Sequence, residues 1–486
     1  MLQMQHIYVI IVSEKNQVLG AYLNMKKLIS IAIIAAVSLA YSIPSYGIED
    51  INKNNTIRTS VKNKSSKIKS AKNKYDYINM EWWKGFNDDL LEEYIIKAVE
   101  NNKDLKMAAI SAEEYYQNIA IQRSAEFPVI SAGFMPGYGN FMMKKTHEGF
   151  GFPIIASYEL DLFGKNHNKT TAARKLYEAS VLDEKSAYIS ITAAVGSAYI
   201  NIVRLDSMID IQTEIVALRK EISEMMDIAN KEGIASTSDL VRANETYILG
   251  VTDLTELKKQ RAKLLNALAV LTGDSPDNTE DFLRTDWRKL TYSGEVPEYV
   301  SSDVVMQRPD YIKAEKLLEK AGIDVKIARK NFLPTINLGG NILFNSKQLG
   351  SLFTTSNAYW GIGGGIMQSI FAGGSIKTNL KLKKLAYEKA LKNYEKVNLT
   401  SMQEVNDSLV AVNMDKEKLL KQKEIQSLEQ KDYELNALKF DEGIISKLDL
   451  NQRKESLMNA DKMVYSSKFD CMIDCINYYK SVGAKA

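Results

Sequence analysis

The sequence predicts a mainly α fold with a small β part: two tandem copies of a long helical hairpin, each copy also carrying two strands. Two observations predict it. From Ser375 to Glu442 there are 68 residues with neither Gly nor Pro, and the matching run 165–232 contains only Gly196. As a helix, such a run spans roughly 100 Å. The second observation is a stretch that occurs twice: residues 232–240 read Glu-Gly-Ile-Ala-Ser-Thr-Ser-Asp-Leu, and 442–450 read Glu-Gly-Ile-Ile-Ser-Lys-Leu-Asp-Leu. Gly233 and Gly443 are 210 positions apart, and Ser236/Ser446 and Asp239/Asp449 keep the same offsets from them. A Gly that ends one helix and a Ser that caps the next make a sharp turn.

Further landmarks repeat. Arg123-x4-Pro128 returns as Arg329-x4-Pro334, shifted by 206, and Leu162-Phe163 returns as Ile370-Phe371, shifted by 208. The chain therefore divides into a first repeat at 77–272, a link at 273–303 that contains Gly273, Pro276 and Pro297, and a second repeat at 304–486. Residues 1–47 precede both. Within them Met25-Lys26-Lys27 starts a basic segment, Leu28 to Ala40 is apolar, and Ser45-Tyr46-Gly47 offers small residues for cleavage. That pattern is a secretory signal, too short to favour a membrane-spanning helix, with 1–24 read as an upstream extension. No Cys follows the cleavage point, so a lipid anchor is not expected. Residues 48–76 are rich in Lys, Asn and Ser and read as a flexible leader.

In each repeat a shorter helix comes first. Leu90, Leu91, Ile95, Ile96 and Val99 recur at helical spacing, so 88–126 reads as one helix ending before Pro128. Strands follow, at about 128–163 and 334–371. Phe152, Ile154, Ala156, Tyr158, Leu160 and Leu162 alternate with Ser157, Glu159 and Asp161. Likewise Ile336, Leu338, Ile342 and Phe344 alternate with Thr335, Asn337, Gly339 and Asn341. The partner stretch 359–371 carries Trp360 and Ile362 among several glycines. The long runs and their return arms, 234–272 and 444–482, close each repeat. Met402, Val405, Leu409, Val412 and Leu419 form a heptad seam. With 25% charged residues in the chain, these helices belong in water.

Charge and chemistry exclude other classes. Lys+Arg and Asp+Glu number 63 and 60, which leaves no basic excess for nucleic acid. The only cysteines, Cys471 and Cys475, lie one helical turn apart, too few ligands for a zinc site. None of His6, His147 and His167 has a partner at ligand or nucleophile spacing, and no Gly-x-Ser-x-Gly or phosphate-loop string is present. The run Gly361-Ile362-Gly363-Gly364-Gly365 lacks the following Lys-Ser/Thr and suits close strand packing instead. No catalytic residue, metal or cofactor is expected. The strands impose a condition of their own. Strands of about ten residues can cross a bilayer, but four cannot close a barrel, and open edges in lipid cost several kcal/mol per unpaired group. If the strands cross a membrane, several chains must pool them, and three chains give twelve; composition alone favours the other reading, a soluble β-hairpin packed on a helix in each repeat.

Four motifs carry a resemblance: Trp82-Trp83-x-x-Phe86-x-Asp88, Asn102-x-Asp104-Leu105, Tyr158-Glu159-Leu160-Asp161-Leu162-Phe163-Gly164, and Gln307-Arg308-Pro309-Asp310 with Ala314-Glu315. At this spacing, over about 80–480, the chain resembles the TolC-like outer-membrane efflux proteins, most of all the OprM-type channels of RND multidrug efflux systems. The resemblance implies a homotrimer in the outer membrane, with a 12-stranded β-barrel continuous with a periplasmic α-barrel. It implies as partners outer-membrane lipid, a periplasmic adaptor (membrane fusion protein) and an inner-membrane RND-type transporter. The chain departs from the pattern in its missing anchor Cys, its short connection around 139–150 and its Ser481-Val482-Gly483-Ala484 ending.

The same resemblance implies site residues. The tip turns are Gly233 with Ser236 and Gly443 with Ser446. The family's gate carboxylate, six residues after each tip glycine, falls on Asp239 and Asp449; Leu448 falls on an apolar constriction, and the second acidic position falls on Gln452. Phe440 and Ile445 replace the Tyr and Arg that lock the TolC-type tip, so closure is expected from packing at Leu448 and the acidic ring. A helix-start role for the two aspartates carries no evident need for the same offset twice, which favours the pore role. Tyr158, Leu160, Trp360 and Ile362 are expected to face lipid, with Glu159 and Asp161 towards the lumen or the junction of barrel and tunnel. The function so implied is a passive, gated exit duct of a tripartite pump. A type I protein-secretion duct and a periplasmic coiled-coil protein without a barrel are the alternatives.

Overall fold

The computed structural model describes residues 81–139, 147–279, 282–294, 296–297 and 299–483. The signal segment, the leader, residues 140–146 of the first strand connection and Ala484 lie outside the described residues. The described part forms two units: a sheet unit drawn from 121–169 and 327–378, and a helical unit drawn from 81–120, 170–326 and 379–483. Each unit takes segments from both repeats.

The helical unit starts with a single-turn 3-10 helix, Trp82–Phe86, followed by α1 (Asp89–Asn101) and α2 (Lys103–Ser124). Asp88 caps α1, its Oδ1 accepting the N–H groups of Leu90 at 3.0 Å and Leu91 at 3.3 Å. The single helix expected over 88–126 is in fact two. Asn102 divides them: its extended backbone ends α1, its Oδ1 caps α2 at Leu105 N (3.0 Å), and its Nδ2 donates to Leu271 O (2.9 Å). The long helices follow as α3 (Lys165–Lys231) and α4 (Thr237–Thr272), α5 (Ser302–Met306) and α6 (Pro309–Lys330), and α7 (Ser375–Asp441) and α8 (Lys447–Val482). Helices α3 and α7 each have 67 residues, and α4 and α8 each have 36, so the duplication is exact in length at the hairpins.

The main core of this unit collects Trp82, Trp83, Phe86, Leu91 and Ile95 against Tyr199, Ile200 and Ile202 of α3, Leu268 of α4, Trp287 and Leu290 of the link, and Phe469 and Ile476 of α8. Helix α3 is apolar enough to pass for a membrane span, yet 56% of that window is buried within the protein, as a core helix should be. Buried Tyr199 satisfies its hydroxyl twice, donating to Asp88 Oδ2 at 2.8 Å and accepting Thr285 N–H at 3.1 Å. Arg308 of the Gln-Arg-Pro-Asp motif is buried and forks onto Asp310 (3.0 and 2.7 Å) and Glu404 (2.6 Å) while donating to Ser481 O. It thereby ties the start of α6 to α7 and the end of α8. The heptad seam of α7 is shifted from the expectation. Val405 and Val412 are buried, but Ser401 and Ser408 are buried with them and Met402 is 38% exposed. The Ser408 and Ser481 hydroxyls meet at 2.8 Å, a close approach of α7 and α8 that larger seam residues would prevent.

In the sheet unit the strands are β1 (Val129–Ala132), β2 (Met135–Gly139), β3 (His147–Leu160), β4 (Thr335–Ser346) and β5 (Ala358–Met367). The order is β1-β3-β4-β5, with β2 also on β3, all neighbours antiparallel. Five strands thus fill four positions. The expected first strand is interrupted at Gly133 and Phe134, yet β1 and β2 share one register on β3, from Val129↔Ser157 to Gly139↔His147, with Gly133 N donating to Pro153 O at 3.0 Å.

Candidate gate and sheet faces

The two hairpin tips are built alike. After α3, Gly233 adopts φ +73°, Ile234 N donates to Ala229 O (2.8 Å) and Gly233 N to Asn230 O (3.0 Å). After α7, Gly443 adopts φ +73°, Ile444 N donates to Lys439 O (2.8 Å) and Gly443 N to Phe440 O (2.9 Å). Both are Schellman turns, in which only a residue without a side chain takes the left-handed position at no cost. Ser236 and Ser446 then cap α4 and α8, each Oγ accepting the N–H of Asp239 or Asp449 at 3.1 Å.

The aspartates answer their serines. Ser236 Oγ donates to Asp239 Oδ2 at 2.6 Å and Ser446 Oγ to Asp449 Oδ2 at 2.7 Å, and Ser446 N also donates to Asp449 Oδ2 at 3.1 Å. This corrects the argument from the repeated offset: a capping box itself fixes an acid three residues after its serine, so the same offset twice does not separate a pore role from a cap. Both carboxyls are held below the usual aspartate range, chiefly by the serine hydroxyl bonds and then by the serine backbone N–H. Both are exposed, and in each the cap engages Oδ2. Leu448 is half-buried and Gln452 exposed, with Leu450 buried between them. At the position of the TolC-type lock, Phe440 instead faces Lys447 across its own turn, the ammonium 5.7 Å from the ring centroid.

Sequence reading missed a set of polar contacts between α3 and α8. Arg204 Nη1 donates to Asp470 Oδ1 (2.9 Å) and Nη2 to Ser466 Oγ (2.8 Å). Lys462 Nζ donates to Gln212 Oε1 (2.9 Å), and Gln212 Nε2 to Gly250 O of α4 (3.2 Å). Arg219 donates through Nε and Nη2 to Glu455 Oε1 (3.0 and 2.7 Å), and through Nη1 to Thr246 O of α4 (3.1 Å). The steps of eight and seven residues on α3 recur in reverse on α8, so the contacts are rungs of one antiparallel register. Ile211, Ile215 and Leu218 pack with Met458 in the same stretch. The spacing is visible in the sequence, but only with the pairing of helices known.

In the sheet, register assigns the faces. Tyr158 lies opposite Leu338, Leu160 opposite Ile336, and Trp360 opposite Ile342, which itself faces Ile154. Ile362 pairs with Gly340, which faces Ala156. Tyr158, Leu160, Trp360 and Ile362 therefore share one apolar face. Trp360 is 76% and Ile362 86% exposed. The opposite face carries Ser157, Glu159, Asn337, Asn341, Gly361, Gly363 and Gly365. There a Cβ on Gly361 would come within 3.2 Å of Asn341 Oδ1, so the amide lies over a glycine. Among the described residues no group of three or more His, Cys, Asp or Glu is placed to hold a metal ion.

This combination of paired hairpins and a two-faced sheet has known relatives. The family model described as "Outer membrane efflux protein" matches residues 95–274 and 300–465. The "Probable efflux pump outer membrane protein TtgC" of Pseudomonas putida is 28% identical over 414 residues, covering 83% of this chain and 84% of its own. The "Cation efflux system protein CusC" of Escherichia coli O157:H7 is 25% identical over 411 residues, covering 84% of this chain and 89% of its own. Among solved structures, the CmeC outer membrane channel of Campylobacter jejuni superposes with a TM-score of 0.76 at 24% identity, over 83% of this chain and 87% of that one, which supports the fold. Since the family model covers most of both repeats, the chain belongs to the outer membrane efflux protein family, as an outer-membrane protein of efflux and not an enzyme.

Proposed function

We propose that three copies of this chain form the exit duct of a tripartite efflux pump, a passive channel gated at the hairpin tips that carries drugs or other small molecules outward. The observation that carries this reading is the pair of open sheet edges. Among the described residues β1 and β2 pair only with β3, and β5 only with β4, so both outer edges lack a neighbour there. In lipid such edges cost several kcal/mol per group, and joining the four positions of each of three chains closes an even, antiparallel barrel of twelve. The apolar face with Tyr158, Leu160, Trp360 and Ile362 is then the lipid face, and the Asn- and Gly-rich face lines the lumen. A periplasmic adaptor and an inner-membrane RND-type transporter supply solute and energy. The relatives' names as efflux pump and cation efflux components support that partnership.

At the tips, Asp239 and Asp449 supply rings of charge around the pore axis while their Oδ2 atoms cap α4 and α8, and Leu448 supplies an apolar constriction. Rings of carboxylates favour cations and bind divalent ions that block. The test is native mass measurement in detergent, where trimers are expected, followed by single-channel recording. Asp449→Asn and Asp239→Asn keep a capping oxygen and remove the charge. They should weaken cation selectivity and divalent block, and Leu448→Ala should raise conductance. A monomer with intact strands overturns the duct. Three variants that conduct and select like the parent place the gate elsewhere.

A further inference from the structure

The polar face of the sheet is not uniform along its length. Strand β5 reads Ala-Tyr-Trp-Gly-Ile-Gly-Gly-Gly-Ile-Met, and alternation puts Tyr359, Gly361, Gly363 and Gly365 on that face. Tyr359 pairs with Leu343 of β4, and Leu343 with Pro153 of β3, so one row across three strands is bulky and apolar. The side chains lie as this register requires. A Cβ on Gly151, which shares the face, would lie 3.9 Å from Leu343 Cδ1, and Tyr359 is 61% exposed. Beyond the row the pairs on β4 and β5 are Asn341 with Gly361, Gly339 with Gly363 and Asn337 with Gly365. Bulk on these two strands therefore gives way at once to amides and bare backbone.

The connection between β4 and β5 is drawn to the other face. Phe353 packs edge-on against Phe152 at 5.3 Å and Phe344 at 5.4 Å, and those two residues pair with each other on the apolar side. Ser346 Oγ meets Ser351 Oγ at 2.7 Å, and Asn357 Nδ2 donates to Ser351 O at 2.8 Å, which fixes the connection in that posture. We infer that Tyr359, with Leu343 and Pro153 beside it, forms a solute-contacting belt inside the outer mouth of the duct that takes aromatic cations. The inference rests on the duct reading, because only the assembled barrel gives the polar face a lumen. Threefold repetition then sets three Tyr359 rings at one height around the bore. Against a wall of amides and glycines, these rings offer a passing solute an apolar surface, and their π-faces favour a positive charge. Such contacts are weak enough to release the solute outward, as conduction requires.

The test records the full-length protein in bilayers. Tetraphenylphosphonium, added on the side of the β4–β5 connection, is the aromatic probe, and tetrabutylammonium is its counterpart without rings. Tyr359→Ala should weaken block by tetraphenylphosphonium roughly two- to fivefold, the size of one exposed cation–aromatic contact, and leave block by tetrabutylammonium unchanged. Tyr359→Phe should keep the parent's block, since the ring and not the hydroxyl makes the contact. Tyr359→Cys gives a second readout that does not depend on current. A membrane-impermeant thiol reagent should modify it in reconstituted vesicles, and tetraphenylphosphonium should slow that reaction while tetrabutylammonium does not. If a conducting parent and Tyr359→Ala are blocked alike, or the probe leaves the labelling rate at position 359 unchanged, the belt is overturned and the duct stands. A parent that forms no conducting channel overturns the duct reading itself.

Discussion

The indole of Trp82 fills the space that a side chain at position 196 would need: a Cβ on Gly196 would come within 2.2 Å of Trp82 Cη2. Gly196 is the one glycine in the 67 residues of α3, and helix propensity alone argues against it by about 1 kcal/mol. It is there because Trp82 has nowhere to retreat. Trp83 meets the ring edge-on at 5.6 Å and Phe86 at 6.0 Å. Gly196→Ala should therefore destabilise the protein by about 1–3 kcal/mol in spite of its better helix propensity. Thermal melting of Gly196→Ala, Trp82→Ala and the double variant checks this. Once Trp82 is truncated, the alanine should cost nothing further, and a full additive loss would mean the contact is not the reason for the glycine.

Arg308 should not tolerate lysine. Its fork holds both oxygens of Asp310 as well as Glu404 and Ser481 O, and an ammonium cannot reproduce that geometry. The expected cost of Arg308→Lys is about 1–3 kcal/mol, discounted because Glu404 is more than half exposed. The pair also sets a pH dependence. Burial pushes the Asp310 carboxyl up, but the Arg308 bond and charge outweigh it and hold the net value below the ordinary aspartate range. A depressed carboxyl contributes its stability above its unfolded pKa and loses it as pH falls through the folded one. Melting temperature should thus drop more steeply on acidification below roughly pH 4 in the parent than in Asp310→Asn. Parallel curves would show that the pair contributes no pH-dependent stability.

The hairpins were legible because their signals are local. A Gly at C′ and a Ser at N-cap act through neighbours three to five residues away, so the turn chemistry placed the ends of α3, α4, α7 and α8 within a few residues. The division at Asn102 was not legible. It has no Gly or Pro, and half of its reason is Leu271 O, 169 positions along the chain. The interruption of the first strand at Gly133 was hidden for a similar cause, since the alternation of neighbours continues through it. The offset of the two aspartates was read too strongly, because capping and charge ask for the same residue at the same place. The rungs of Arg204, Gln212 and Arg219 were not legible, because their partners on α8 lie 266, 250 and 236 positions along the chain.

Cys471 and Cys475 should be inert in the folded protein. Burial, then the carboxylates of Asp415, Asp474 and Asp470, push the Cys471 thiol up to about 11. Burial pushes Cys475 up to about 12, with Lys416 opposing. At pH 8 the thiolate fraction is then on the order of one in a thousand or less, and the thiolate is the reactive form. Maleimide at pH 8 should label neither site in the folded protein and both after denaturation. Rapid labelling of the native protein would show that α8 opens locally at this level. The native pair should accordingly leave cysteines introduced elsewhere cleanly visible to thiol probes.

That background makes the sheet testable. Glu159 lies opposite Asn337, which faces Gly365, on the polar face, whereas Leu160 lies opposite Ile336 and Ile366 on the apolar one. One residue of slip in β3 would exchange the two, because successive side chains alternate across the sheet. If the proposed duct is right, position 159 is expected to meet water and position 160 hydrocarbon. A membrane-impermeant thiol reagent should therefore modify Glu159→Cys in reconstituted vesicles and spare Leu160→Cys. Strand β5 gives an independent check at its exposed edge: Gly363→Cys should be reached and Ile362→Cys protected, since Gly363 pairs with Gly339 on the polar face and Ile362 with Gly340 on the other. If 160 and 362 are labelled while 159 and 363 are spared, the apolar face does not meet lipid and the barrel assignment falls.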